Sequence, residues 1–285
     1  MKKLKEVAIA VSTEDYSNHI KDLQLTPDEY VPIGGNPQLM PPYKEEYGEK
    51  ERSGIGEEVS KETQNRLNPL THILVGKIKK LCNDLGIPIV SSAEELTKLN
   101  PNSAVIFASK HGDYNTEPKE LKEILLQKLK NSDKKTIVGF EFLSDFVDIL
   151  NDPTKNLNDN KLNSILSFMI FRKTLRGIIE VFNEIQQKYS RDRFEIKPFD
   201  ITYNELLLEE KSDEERDAQV AKNVLDLLKT YGDNNNLVIW TGMVHVIDVL
   251  TKLKEIIGSG NNEEIKANNI VVFLTPETFS SIRRK

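Results

Sequence analysis

Three stretches of the sequence place a polar, titratable group just after an apolar run. Leu237-Val-Ile-Trp-Thr-Gly-Met-Val-His245 runs to Trp240, bends at Thr241-Gly242 and reaches a histidine. Ala104-Val-Ile-Phe-Ala108 leads to His111-Gly112, and Thr136-Ile-Val-Gly-Phe140 leads to Glu141. Each reads as a buried strand presenting an imidazole or a carboxylate beyond its carboxyl end, where open α/β sheets place their chemistry. Arg216 and Asp217 join them from the first turn of a helix. Arg216 aligns with Val220, Val224 and Leu227, and Asp217 with Ala221, Val224 and Leu228, so both point partly inward. A cation in a first helical turn opposes the helix dipole, which favours an anionic partner for Arg216.

His111, Glu141, Arg216 and His245 are therefore the candidate site. A His–Glu pair can act as general base on water, with Arg216 or a protonated His245 stabilising the developing oxyanion. Equally, His111, Glu141 and His245 make a His₂-carboxylate set able to hold a divalent metal. His19 lies in a polar stretch and His72 on a helix that precedes the sheet, so both stay outside the site.

The elements that position these residues repeat a pattern of short apolar runs and amphipathic segments. Leu67, Leu70, Ile73, Leu74, Ile78 and Leu81 recur at helical spacing until Gly86. Strands follow at Ile87–Val90, Ala104–Ala108, Thr136–Phe140, Phe194–Ile201, Leu237–Trp240 and Asn269–Leu274. Pro198 and the alternation around it mark the Phe194 strand as an edge strand. Helices lie between, one opened by a Ser212/Glu215 capping box. The expectation is an α/β fold, a mostly parallel sheet with flanking helices. A long helical insertion at about 151–192 would include one helix over about 161–189. Residues 1–60, rich in turns and charge apart from a strand candidate at 6–11, read as an irregular arm preceding an α/β domain over 61–285. Gly34-Gly35 lacks the following Lys-Ser/Thr of a phosphate loop and reads as a turn.

Composition bounds the partners. With 39 Lys+Arg against 45 Asp+Glu and a formal charge of -6, the chain lacks the basic balance of a nucleic-acid binder. A single cysteine, Cys82, rules out an intramolecular disulfide and a thiolate cluster, and its helical setting makes it a core residue. The apolar window Ile165–Phe171 falls far short of the roughly 20 residues that span a bilayer. The start carries no secretory signal, so a cytoplasmic protein is expected, although non-classical secretion would leave no readable mark.

Four motifs in order carry a resemblance: Phe107-Ala-Ser-Lys-His-Gly112 with Glu117; Gly139-Phe-Glu141; Arg216-Asp-Ala-Gln-Val-Ala-Lys-Asn223; and Trp240-Thr-Gly-Met-Val-His245. Over about residues 100–250 the chain resembles the erythromycin-esterase-like superfamily, which takes in haem-binding ChaN-like proteins, Tiki/TraB metalloprotease-like proteins and a Ras/Rap-cleaving endopeptidase domain. Where the first motif usually reads Gly-Glu, this chain has Ala108-Ser109, and Gly242 stands where esterase relatives carry the first of two histidines.

The resemblance implies a hydrolase of an ester or amide bond acting on a small molecule or a peptide. Its alternatives are a metal-dependent peptidase of the Tiki type and a haem- or ligand-binding protein. For the last, Phe168, Phe171 and Phe182 would wall an apolar pocket with a histidine as axial ligand. A non-enzymatic interaction protein, binding through residues 15–56, is the remaining reading. No cofactor is demanded by the residues themselves.

Overall fold

In this computed structural model the described residues are 71–99, 102–110, 114–154, 159–168, 172–202, 205, 212–259, 265–276 and 278. The arm at 1–60, with its strand at 6–11, lies outside them, as do His19, His111 and Phe171. Six strands form one all-parallel sheet: β1 (Ile89–Val90), β2 (Ala104–Ser109), β3 (Thr136–Leu143), β4 (Phe194–Asp200), β5 (Asn236–Gly242) and β6 (Ile270–Phe273). Their order across the sheet is β1-β6-β2-β5-β3-β4. The chain crosses the sheet from β1 to β4 leaving gaps, then returns and fills them with β5 and β6.

Helices flank both faces, each direction of travel using one face. The outward path uses α2 (Ala93–Thr97), α3 (Thr116–Asn131), α4 (Val147–Leu150), α5 (Asn160–Phe168) and α6 (Arg172–Gln186). Their apolar residues form one core with Val105, Phe107, Val138, Phe140, Val238 and Trp240. The return path uses α7 (Asp213–Tyr231) and α8 (Met243–Gly258), which share the opposite core with the helix α1 over 71–85 and with Ile106, Ile137, Leu237 and Ile239. Alternate residues of each strand enter alternate cores, as the strand period of two requires. Because both faces are covered, the strands read as continuous apolar runs.

Local signals set the boundaries. Gly86 ends α1 with φ 66, the left-handed conformation that glycine adopts without a Cβ clash, and Ile87 N–H closes the turn on Cys82 O at 2.8 Å. Cys82 is buried in the core, and burial pushes its thiol up to about 12, so it is a packing residue. The capping box on α7 is complete, Ser212 and Glu215 each satisfying the other's backbone N–H. Gly139 on β3 lets α7 approach: a Cβ there would stand 2.9 Å from Leu227 Cδ1.

In the insertion between β3 and β4, where the sequence reading expects a long helix, α5 and α6 are helical up to residues 169–171, which lie outside the described residues. Its apolar face belongs to the sheet's core. Phe182 meets Phe140 edge-on at 5.1 Å and is fully buried, so this ring is committed to packing and does not wall an open pocket. As expected, β4 is an edge strand, and its outer edge is closed by side chains. Asn151 accepts from Ile196 N–H and donates to Ile196 O, at 2.9 and 2.7 Å. Pro198, the next residue to face outward, offers no N–H; on the other side of the strand Asn223 donates to Phe199 O at 2.7 Å. No helix among the described residues is long and apolar enough to cross a membrane.

Candidate functional site

β2, β5, β3 and β4 are consecutive in the sheet, so the ends the sequence singles out are neighbours at one carboxyl edge. Registers Phe140↔Trp240 and Ser109↔Gly242 place Glu141, one residue further, beside the Thr241-Gly242 bend. There its carboxylate is held. Glu141 Oε2 accepts from Thr241 Oγ1 at 2.6 Å and from Gly242 N–H at 2.7 Å. Gly242 is the residue before α8, in extended conformation, and has no side chain with which to cap the helix. The Glu141 carboxylate therefore sits at the amino end of α8, where helix N–H groups favour an anion.

His245 falls in the first turn of α8 and meets the other carboxylate oxygen. Its Nε2 is 3.4 Å from Glu141 Oε1, and its Nδ1 is 3.4 Å from Asp217 Oδ1 and 4.0 Å from Asp248 Oδ2. The imidazole thus bridges the end of β3 and the first turn of α7, with its side chain 10% exposed. Burial by itself opposes the charged ring and Arg216 nearby adds to that; Glu141, by charge and hydrogen bond, and Asp217 outweigh both and raise its pKa to about 9. At neutral pH His245 is an imidazolium held between two carboxylates.

Arg216 has the anionic partner its helix position favours. Its Nε and Nη2 donate to Asp200 Oδ1 and Oδ2 at 3.0 and 2.6 Å, a two-pronged pair that ties α7 to the end of β4. Asp200 also accepts from Ile201 N–H at 2.7 Å. With its guanidinium matched in this way, Arg216 shapes the site more directly than it offers charge to a substrate.

At the end of β2, Ser109 stands beside a carboxylate from elsewhere in the chain. The fully buried Glu117, in the first turn of α3, accepts from Ser109 Oγ at 2.6 Å and from Lys110 N–H at 2.8 Å. The carboxylate at this strand end is thus delivered by the next helix. His111, the next candidate along the chain, lies outside the described residues.

The structure brings together Glu141, His245 and Asp217, with Arg216 adjoining. Spacing did not pick out Asp200, Thr241 or Asp248. Asp200 had the same signal as Glu141, an acid at a strand end, and Asp248 stands three residues after His245, on the same helical face. A divalent ion at Glu141 and His245 would require His245 to give up its proton first; among the described residues no group of three or more His, Cys, Asp and Glu is arranged to hold an ion. Compared with known proteins, the chain matches no family model, no curated protein and no solved structure.

Proposed function

We propose that this chain is a hydrolase of an ester or amide bond, with Glu141 and His245 as its proton-transfer pair. The observation that carries the reading is an imidazolium set between two carboxylates at the carboxyl edge of a parallel sheet. Glu141 Oε2 is held by Thr241 and Gly242, while Oε1 faces His245 Nε2 at 3.4 Å, so Oε1 is the oxygen that shares and exchanges a proton with the imidazole. In the proposed step Oε1 accepts a proton from water as the water oxygen bonds to the substrate carbonyl carbon. The charge of His245 beside it offsets the negative charge building on the carbonyl oxygen. Collapse breaks the bond to the leaving alcohol or amine, which takes up the proton from the pair. Asp217 keeps the ring oriented and charged. His111, by its place in the sequence just after β2, is the expected second imidazole of this site.

A panel of activated esters and short peptides tests the proposal. Glu141→Gln and His245→Asn are expected to lower turnover by about 10²–10⁴-fold while unfolding cooperatively. Wild-type turnover in both variants would sink the assignment. Elemental analysis of chelator-free protein decides the metal-dependent form: an equivalent of a transition metal, lost together with activity on chelation, would replace water activation by Glu141 alone.

A further inference from the structure

Beside the candidate site a groove of about 470 Å³ runs along the outside of β4. One wall is β4 from Pro198 to Asp200 and the other is α7 from Gln219 to Tyr231. Gln219, Asn223, Asp226 and Thr230 line it at successive turns of α7. That stretch of helix is about 16 Å long, room for about five residues of extended chain.

The charge of the groove has one sign. Asp200, Glu205 and Asp226 line it, and no lysine or arginine does so among the described residues. Asp200 is matched by Arg216. Asp226 is exposed and makes no salt bridge among the described residues. Backbone pairing along the free edge of β4 is hindered, because Asn151 holds both polar groups of Ile196 and Pro198 has no N–H. An occupant must be recognised by its side chains and charge. At the carboxyl end of β4 the groove is lined by Asp200, whose partner Arg216 neighbours Asp217, which faces His245. A chain lying in it would point toward the candidate site.

We infer that this groove binds an extended peptide segment bearing lysine or arginine, placed with its following residues toward Glu141 and His245. The substrate class this adds, a basic peptide, rests on the hydrolase reading; the binding itself does not.

Fluorescence anisotropy with a labelled peptide of alternating lysine and alanine, titrated with the full chain, tests it, with a glutamate–alanine peptide beside it. Asp226→Lys is compared with Glu94→Lys, the same charge change on α2 next to the opposite edge strand, and both are checked for cooperative unfolding. The lysine peptide is expected to bind the wild type more tightly than the glutamate peptide does, and to weaken as salt is added. Asp226→Lys should weaken it about tenfold relative to Glu94→Lys, and Asp226→Asn by less. No binding to the wild type, or equal losses in the two lysine variants, overturns the proposal. Groove-dependent binding without cleavage of peptides or esters leaves the groove assigned and removes the hydrolase reading.

Discussion

His245 has carboxylates on both ring nitrogens, and that sets its role. A general base must be neutral at the working pH, whereas this ring, raised to about 9, keeps its proton through the neutral range. In the proposed reaction the proton-accepting work therefore falls to Glu141, and the imidazolium supplies charge. A folded pKa above the ordinary 6.5 stabilises the fold in full below pH about 6.5, and the contribution is lost as pH rises through about 9. Urea unfolding should show stability falling by about 3 kcal/mol across that interval. His245→Gln should remove this slope while lowering stability at neutral pH, because Glu141 and Asp217 then face each other without the cation. A wild-type stability flat from pH 6 to 9 would contradict the arrangement.

At the scale of elements, helix starts deliver most of the site. The first turns of α3, α7 and α8 bring Glu117, Arg216 with Asp217, and His245 to the ends of strands β2, β4 and β5. Capping fixes where α7 begins, and Gly139 lets that helix lie close against β3. The Arg216–Asp200 pair then fastens its amino end to β4, with side chains 13% and 7% exposed. Removing one member of such a buried pair leaves a desolvated charge, at a cost of about 3–5 kcal/mol. Arg216→Met is expected to lose that much in chemical denaturation, and adding Asp200→Leu should recover most of it. Equal losses from Arg216→Met with and without Asp200→Leu would show that the two residues act independently.

Over the whole molecule, the interleaved strand order puts four chemically marked strand ends side by side, and among the described strands β1 and β4 stand at the two edges. β1 is only two residues long. β4 is long enough to template another strand and is instead covered by Asn151 at Ile196, with Pro198 beyond it. Asn151→Ala should cost about 2 kcal/mol for the lost hydrogen bonds and expose an unpaired edge. Sedimentation at rising concentration is expected to show self-association of this variant and none of the wild type. A variant that stays monomeric would mean Pro198 protects the edge unaided.

Strand ends bearing Glu141 and His245, the capped start of α7 and the edge position of β4 were all legible in the sequence. They depend on local patterning: apolar runs of strand length, a Ser–Glu cap, a proline in a strand. The fold class followed, because alternating strand and helix patterns lead to a parallel sheet. Contacts across the fold were not legible. That Arg216 would face Asp200, that Glu117 would reach back to Ser109, and that Phe182 would be spent on the core all depend on the strand order, which no local spacing encodes. Likewise, spacing placed an imidazole at a strand end, but its charge came from Glu141 and Asp217, 104 and 28 positions away in the chain, packed against it in a site with little water to screen them.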